Sequence, residues 1–368
     1  MDTKVELSGV EAEDRDAFAE RLFTDALGAF TIFSVHIGDR LGFYRALAQN
    51  PGLTSRQLAA HTGTHERYVR EWLEHQAAYC ILEVEKDEQS WSGNRFYLPR
   101  GRAEVLTDPD SLNYMAPIAQ LIVGAVHPLE ALLEAYRSGE GVPFSQYGVH
   151  LREGQASMNR PMFLKQLGVE WLPAAPDVHV RLQADPPARV ADIGCGAGWS
   201  CIGIASSYPK VHVDGYDLDE ASVDLANSNI KAAGLKERVQ VYLQDASDPA
   251  LQGQYDLVVA FECLHDMSNP VGALKTMRNL AGEQGAVIIM DERTLDAFQP
   301  CAEALEQFLY GFSVLHCLPV GMVEQPSAAT GTVLRQSTLE KFASLAGFSR
   351  VEVLPVDHFF FRFYRLVA

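Results

Sequence analysis

A chain of 368 residues with 47% hydrophobic composition can bury a large core, and its length suits two domains. Its formal net charge of −18 argues against a polyanionic partner, because nucleic-acid binding draws on clustered Lys and Arg. The thiols of Cys80, Cys195, Cys201, Cys263, Cys301 and Cys317 form no CxxC pair and stand at no zinc-finger spacing, so they are expected reduced and mostly buried, with no metal.

The opening "MDTKVELSGVEAEDRD" has neither the basic nor the apolar region of a secretory signal, and "MAPIAQLIVGAVHPL" is too short and interrupted to span a bilayer. A soluble cytoplasmic protein without a membrane partner is the expectation. Residues 15 to 48 carry Phe18, Leu22, Phe23, Ala26, Phe30 and Phe33, then Leu41, Tyr44 and Leu47, at helical spacing. A short helix opened by Thr54 or Ser55 follows, then a Gly63 turn and a second helix with Tyr68, Val69, Trp72, Leu73 and Gln76 in register. After it, "CILEVE" and "RFYLP" alternate as two strands around a polar loop, which completes a winged helix over residues 1–110.

The candidate recognition helix sets Arg67 and Arg70 against Glu66, Glu71 and Glu74, a balance that repels phosphate. A dimerisation module that gives a homodimer, with no nucleic acid bound, is the expected role. Residues 111–175 read as a helical bridge broken at "SGEGVPFSQYG" and ending at the Pro-rich "WLPAAPD". Over residues 176–368 strands and helices alternate ("ARVADIG", "VHVDGYD", "VQVYLQD", "YDLVVAFE", "GAVIIMDE"), the rhythm of an α/β domain whose parallel sheet is covered on both faces.

Between the first of these strands and its helix lies "VADIGCGAGWS", with Gly194, Gly196 and Gly198 at alternate positions. Such a loop presents free backbone N–H groups where a ligand can approach without interference from a Cβ. A dinucleotide fingerprint would need its last glycine at position 199, which is Trp199. Asp217 closes the second strand, where a carboxylate can accept from both hydroxyls of a ribose, and Asp245 follows the third.

The pattern from Asp192 to Gly198, with Asp217 and Asp245 in order at strand ends, resembles the class I S-adenosylmethionine-dependent methyltransferases. That resemblance implies a Rossmann-like sheet, S-adenosylmethionine as cofactor, and a cofactor set of Asp192, Gly194, Gly196, Gly198, Asp217, Leu218, Asp245, Ala246 and Glu262. The segments "FECLHDMSNP" and "GAVIIMDERT" resemble plant-type small-molecule O-methyltransferases, which also carry an N-terminal winged-helix dimerisation domain. On that comparison His265 is the catalytic base, with Asp266 beside it and Asp291 or Glu292 as the nearby carboxylate.

A histidine at this place can also cap the next helix or touch cofactor; its ordinary pKa suits proton removal near neutral pH. For a small-molecule substrate, Tyr147, Arg160 and Tyr310 are the candidate contacts, Arg160 because its planar fork matches a carboxylate. Oxygen methylation is the expectation. Two alternatives stand beside it: sulfur methylation of a thioether acid such as 4-methylthio-2-hydroxybutyrate, toward dimethylsulfoniopropionate, and a cofactor-sensing regulator that binds DNA.

Overall fold

The computed structural model describes residues 7–368; residues 1–6, which open the expected first domain, lie outside the described residues. Two compact units divide between Val123 and Gly124, within the helix Ala116–Ala125.

In the first unit, α1 (Gly9–Arg40) starts from a reciprocal cap in which Ser8 Oγ accepts from the Glu11 N–H and the Glu11 carboxylate accepts from the Ser8 N–H. It runs as one helix to Arg40, and Gly42 at φ +73° turns the chain into α2 (Phe43–Gln49). α3 (Ser55–Thr62) is capped by Thr54 and Gln57, and Gly63 at φ +65° ends it before α4 (Glu66–Ala78). The short antiparallel pair β1 (Glu83–Glu85) and β2 (Arg95–Tyr97) forms the wing, followed by α5 (Arg100–Thr107).

Gln76 explains why a polar residue keeps the register of an apolar face. Its amide accepts from the Tyr44 hydroxyl at 2.5 Å and donates to Ser34 Oγ at 3.0 Å, while Trp72 Nε1 donates to Ser34 O at 2.9 Å. Tyr68 departs from its expected place, being 79% exposed. So does most of α1, whose Phe18, Leu22, Phe23, Phe30 and Phe33 face outward. Each large apolar side chain left in water forgoes about 1.5–3 kcal/mol.

The second unit continues from α6 (Ala116–Ala125) with α7 (Leu129–Ser138), α8 (Gly148–Lys165) and α9 (Pro176–Gln183). It then alternates β3 (Arg189–Ile193), α10 (Trp199–Ser207), β4 (His212–Asp217), α11 (Glu220–Ala232), β5 (Val239–Leu243), β6 (Leu257–Phe261), α12 (Pro270–Ala281) and β7 (Ala286–Glu292). An insertion with α13 (Ala304–Phe312) and α14 (Leu318–Gly321) precedes α15 (Gln336–Leu345), β8 (Arg350–Val353) and β9 (Phe361–Val367).

The seven strands lie in the order β5-β4-β3-β6-β7-β9-β8. The expected all-parallel sheet is corrected here. β3 to β7 are parallel, but β9 runs antiparallel between β7 and β8, because the connection over residues 354–360 is too short for a parallel crossover.

Alternation along the buried strands divides the core between two faces. Val190, Leu257, Val259 and Ile288 pack with Trp171, Leu172 and Ile204, while Ala191, Val258, Ala260 and Ile289 pack with Leu274, Met277 and Leu280. Among the described residues no single helix is long and apolar enough to cross a membrane. Cys195, Cys201 and Cys317 are buried and Cys263 half-buried, whereas Cys80 and Cys301 are exposed, which corrects the expectation for those two.

Candidate active site

The loop after β3 shows what its glycines are for. Gly194 has φ +67°, and a Cβ there would stand 2.7 Å from Cys263 Sγ; Gly196 has φ +50° and open space where its Cβ would be. Gly198, at φ +76°, caps the start of α10. One glycine is therefore needed for close packing and the next for an unobstructed approach.

Asp217 ties this loop to β4, since its Oδ2 accepts from the Gly196 N–H at 2.8 Å and its Oδ1 from the Asp219 N–H at 2.9 Å. Asp192, at the end of β3, accepts from Ser200 Oγ and Cys201 Sγ, and its buried Oδ1 has no partner. Burial raises its pKa to about 6 against the pull of those two donors. Asp217 is raised by burial too. Across the edge, Asp245 accepts from the backbone N–H and the hydroxyl of Ser247, with Ala246 buried and Leu218 exposed.

Glu262 closes β6 in the left-handed region, φ +53°, a strained setting for a residue with a Cβ. Burial lifts its carboxyl to about 7, opposed by the His265 charge and by hydrogen bonds from Asn159 and Gln155. Those two residues belong to a polar stripe on α8 that sequence reasoning missed. Arg152 pairs with Asp219 through two bonds of 2.6 and 3.1 Å, Asn159 donates to Glu262, and Arg160 lies 5.0 Å over the Trp199 ring. The spacing 152, 155, 159 was the available signal, one helical face. Arg160 thus stands beside the start of α10, next to the glycine loop.

His265 sits in a short 3-10 turn after β6, only 3% exposed. Its Nδ1 lies 2.9 Å from Asp291 Oδ1 and 3.0 Å from Glu292 Oε2, the second without hydrogen-bond geometry. Burial alone would lower the imidazole pKa. The two carboxylates, Glu292 foremost, outweigh it and hold the pKa well above the usual range. Burial also holds the Glu292 carboxyl far above its usual range, whereas Asp291 is lowered, the His265 charge prevailing over its burial. His265, Asp291 and Glu292 therefore titrate as one set, the charge of each depending on the others. The three donor atoms fall within 4.8 Å of one another, a spacing that a cation could also take. Asp266, next to His265, is pushed up by burial to about 6.

The expected tyrosines do other work. Tyr147 is fully buried and donates to Leu315 O at 2.9 Å, and the Tyr310 hydroxyl accepts from Arg335, which also pairs with the buried Glu306 at 2.8 Å. The Tyr147 hydroxyl hydrogen is thus spent on the backbone, while the Tyr310 hydroxyl keeps its own hydrogen. The insertion also brings in His316, which sequence reasoning did not single out.

Two family matches fit this architecture: a methyltransferase domain over residues 184–330 and an Rv2258c-like winged HTH domain over residues 28–108. The chain carries a methyltransferase domain behind a winged helix. The mitomycin 7-O-methyltransferase MmcR superposes with a TM-score of 0.70 at 20% identity, covering 97% of this chain and 99% of that one. Human N-acetylserotonin methyltransferase, solved with its cofactor, gives 0.70 at 16% identity over 100% of both chains. Norajmaline N-methyltransferase of Rauvolfia serpentina is 31% identical over 123 residues, 33% of this chain and 41% of that protein. The chain spans under half the length of the curated relatives it matches, from 5% to 48%.

Proposed function

We propose that this protein transfers a methyl group from S-adenosylmethionine to a small-molecule acceptor, with an oxygen as the favoured target. The observation that carries the reading is the group of buried acids around the glycine loop. Asp192, Asp217, Glu262 and Asp266 are all held above the ordinary carboxylate range by burial, and Asp192 keeps an unpartnered oxygen. Such a cluster is relieved by a cation. S-adenosylmethionine brings a sulfonium and an ammonium, and it supplies the electrophilic methyl carbon. Leu218, Asp245 and Ala246 complete the adenosine side of the same edge.

His265 is assigned the proton of the acceptor's hydroxyl. The acceptor oxygen forms the new bond to carbon, the carbon–sulfur electron pair leaves with the sulfur, and the hydroxyl proton passes to the imidazole. Asp291 fixes the ring through Nδ1 and stabilises the imidazolium. The raised pKa of His265 also favours a second reading, methylation of a thioether acid, in which no proton has to leave sulfur.

The exposed apolar face of α1 supports a homodimer built on the first unit, and the acidic chain supports an enzyme that works without nucleic acid. Calorimetry is the first test: binding of S-adenosylmethionine with NAD ignored is expected, and the reverse sinks the proposal. A panel of phenols, hydroxy acids and thioethers with methyl-labelled cofactor then separates oxygen from sulfur. Light scattering at micromolar concentration should give twice the mass of one chain, and a monomer would remove the dimer.

A further inference from the structure

We infer that Arg152, on α8, is the positioning residue that sets Asp217 for the ribose hydroxyls of the cofactor, so that a helix outside the sheet governs how firmly the nucleoside is held. The inference rests on the methyl-transfer reading and deepens it. Arg152 meets Asp219 as a fork, Nε donating to Oδ2 at 2.6 Å and Nη2 to Oδ1 at 3.1 Å. The two side chains are 13% and 16% exposed, and the Phe144 ring lies 5.8 Å from the guanidinium carbon, so little water screens the pair.

Asp219 passes this hold on to Asp217. Its carboxylate also caps α11, accepting from the N–H and the hydroxyl of Ser222 at 2.9 and 2.7 Å. Its own N–H donates to Asp217 Oδ1 at 2.9 Å, while the Gly196 N–H donates to Asp217 Oδ2 at 2.8 Å. Each Asp217 oxygen therefore gives one lone pair to the backbone and keeps another. The two backbone donors orient the carboxylate, and the free lone pairs suit two neighbouring hydroxyls only while the Asp219 N–H stays in place.

The sequence shows why a cation is needed there. Asp217, Asp219 and Glu220 put three carboxylates into the four residues "DLDE", and like charges so close push the turn open. Arg152 brings the opposite charge from 67 positions upstream. Its helix is well anchored to the sheet. A Cβ on Gly203 would run into Phe163 O, so α8 and α10 meet backbone to backbone, and Asn159 of α8 donates to Glu262 at the end of β6.

The test is calorimetric and uses the full chain with two ligands, S-adenosylhomocysteine and its 2′,3′-dideoxy analogue, which lacks both ribose hydroxyls. The wild-type protein should prefer the first by about 10–100-fold. Arg152→Gln should weaken S-adenosylhomocysteine about 5–30-fold and the dideoxy analogue less than about 2-fold, so that the preference shrinks. Arg152→Lys keeps the charge without the fork and should retain part of it. In an Asp217→Ala background, Arg152→Gln should cost no more than about 2-fold further, because the residue through which it acts is gone.

Equal losses of both ligands in Arg152→Gln overturn the inference, as does unchanged affinity for S-adenosylhomocysteine. Losses that multiply in the double variant overturn it too, as does a wild-type protein without preference for the hydroxyls. If thermal unfolding shows that Arg152→Gln does not fold, Arg152→Lys decides by the same measure: a reduced preference supports the assignment, and an unchanged preference or an equal loss of both ligands overturns it. Wild-type protein that binds neither ligand overturns the methyl-transfer reading instead.

Discussion

At the ends of β3, β4 and β5, the carboxylates Asp192, Asp217 and Asp245 are held by backbone N–H groups and by short side chains close to the loop. At the ends of β6 and β7, His265, Asp291 and Glu292 hold one another. The first half of the edge is a frame of fixed positions, and each residue there can fail with limited effect on its neighbours. The second half is a coupled set in which one removal changes the charge of the others.

The largest expected effect lies in the coupled half. His265→Gln should cut turnover on a hydroxyl acceptor about 10²–10⁴-fold while cofactor affinity holds, and Asp291→Asn should cost less. Steady-state rates at saturating cofactor check this, and unchanged turnover would move the chemistry to sulfur. The structure also shifts the expected pH profile. Because the carboxylates raise the His265 pKa, the neutral base accumulates only above the usual imidazole range, so the rate should climb on the alkaline side of 6.5.

In the framed half, Asp217→Ala should weaken cofactor binding by about 1.5–3 kcal/mol, ~10–150-fold, as read by calorimetry. A larger loss, or a collapse of turnover at saturating cofactor, would show that the two halves are not separable. A smaller effect follows from Asp192. Its carboxyl, with a pKa of about 6, is neutral below that pH and negative above it, so affinity for a cationic cofactor should rise with pH through about 6, by up to about tenfold per unit. A flat profile in wild type that matches Asp192→Asn would remove that carboxylate from the site.

The least of these effects concerns the loop itself. Gly194→Ala places a Cβ against Cys263 in a left-handed backbone and should lower stability by about 1–3 kcal/mol, read from thermal unfolding.

The same contrast explains what could be read from the chain. The frame is written in consecutive residues: an apolar run, spaced glycines, an acid at each strand end. Those signals survive in one dimension because most of these groups are satisfied by neighbours near them in sequence, Asp217 alone reaching back to Gly196. The coupled half was legible at His265, just past β6, and at Asp291 and Glu292, which end β7. Glu262 took its partners from α8, more than a hundred positions upstream, and His316 became notable only through a π turn that no periodicity announces. The hydroxyl partners of Tyr147 and Tyr310 were not legible either, since Leu315 and Arg335 are distant in sequence from them. The inverted β9 escaped because alternation reports burial and not direction.

The backbone at Glu262 bears on how such an enzyme can be engineered. Cys80, Cys301 and Ala329 share its left-handed geometry, and the first two are exposed, so replacing them by glycine relieves strain with nothing lost to the site. The same exchange at Glu262 would gain order-of-magnitude comparable relief, roughly 1 kcal/mol, while deleting the carboxyl that anchors Asn159 of α8. A library screened for heat resistance will therefore accept glycine at Cys80 and Cys301 sooner than at Glu262, where the relief is offset by an Asn159 amide left without its partner, which makes this position a marker for strain kept for the site.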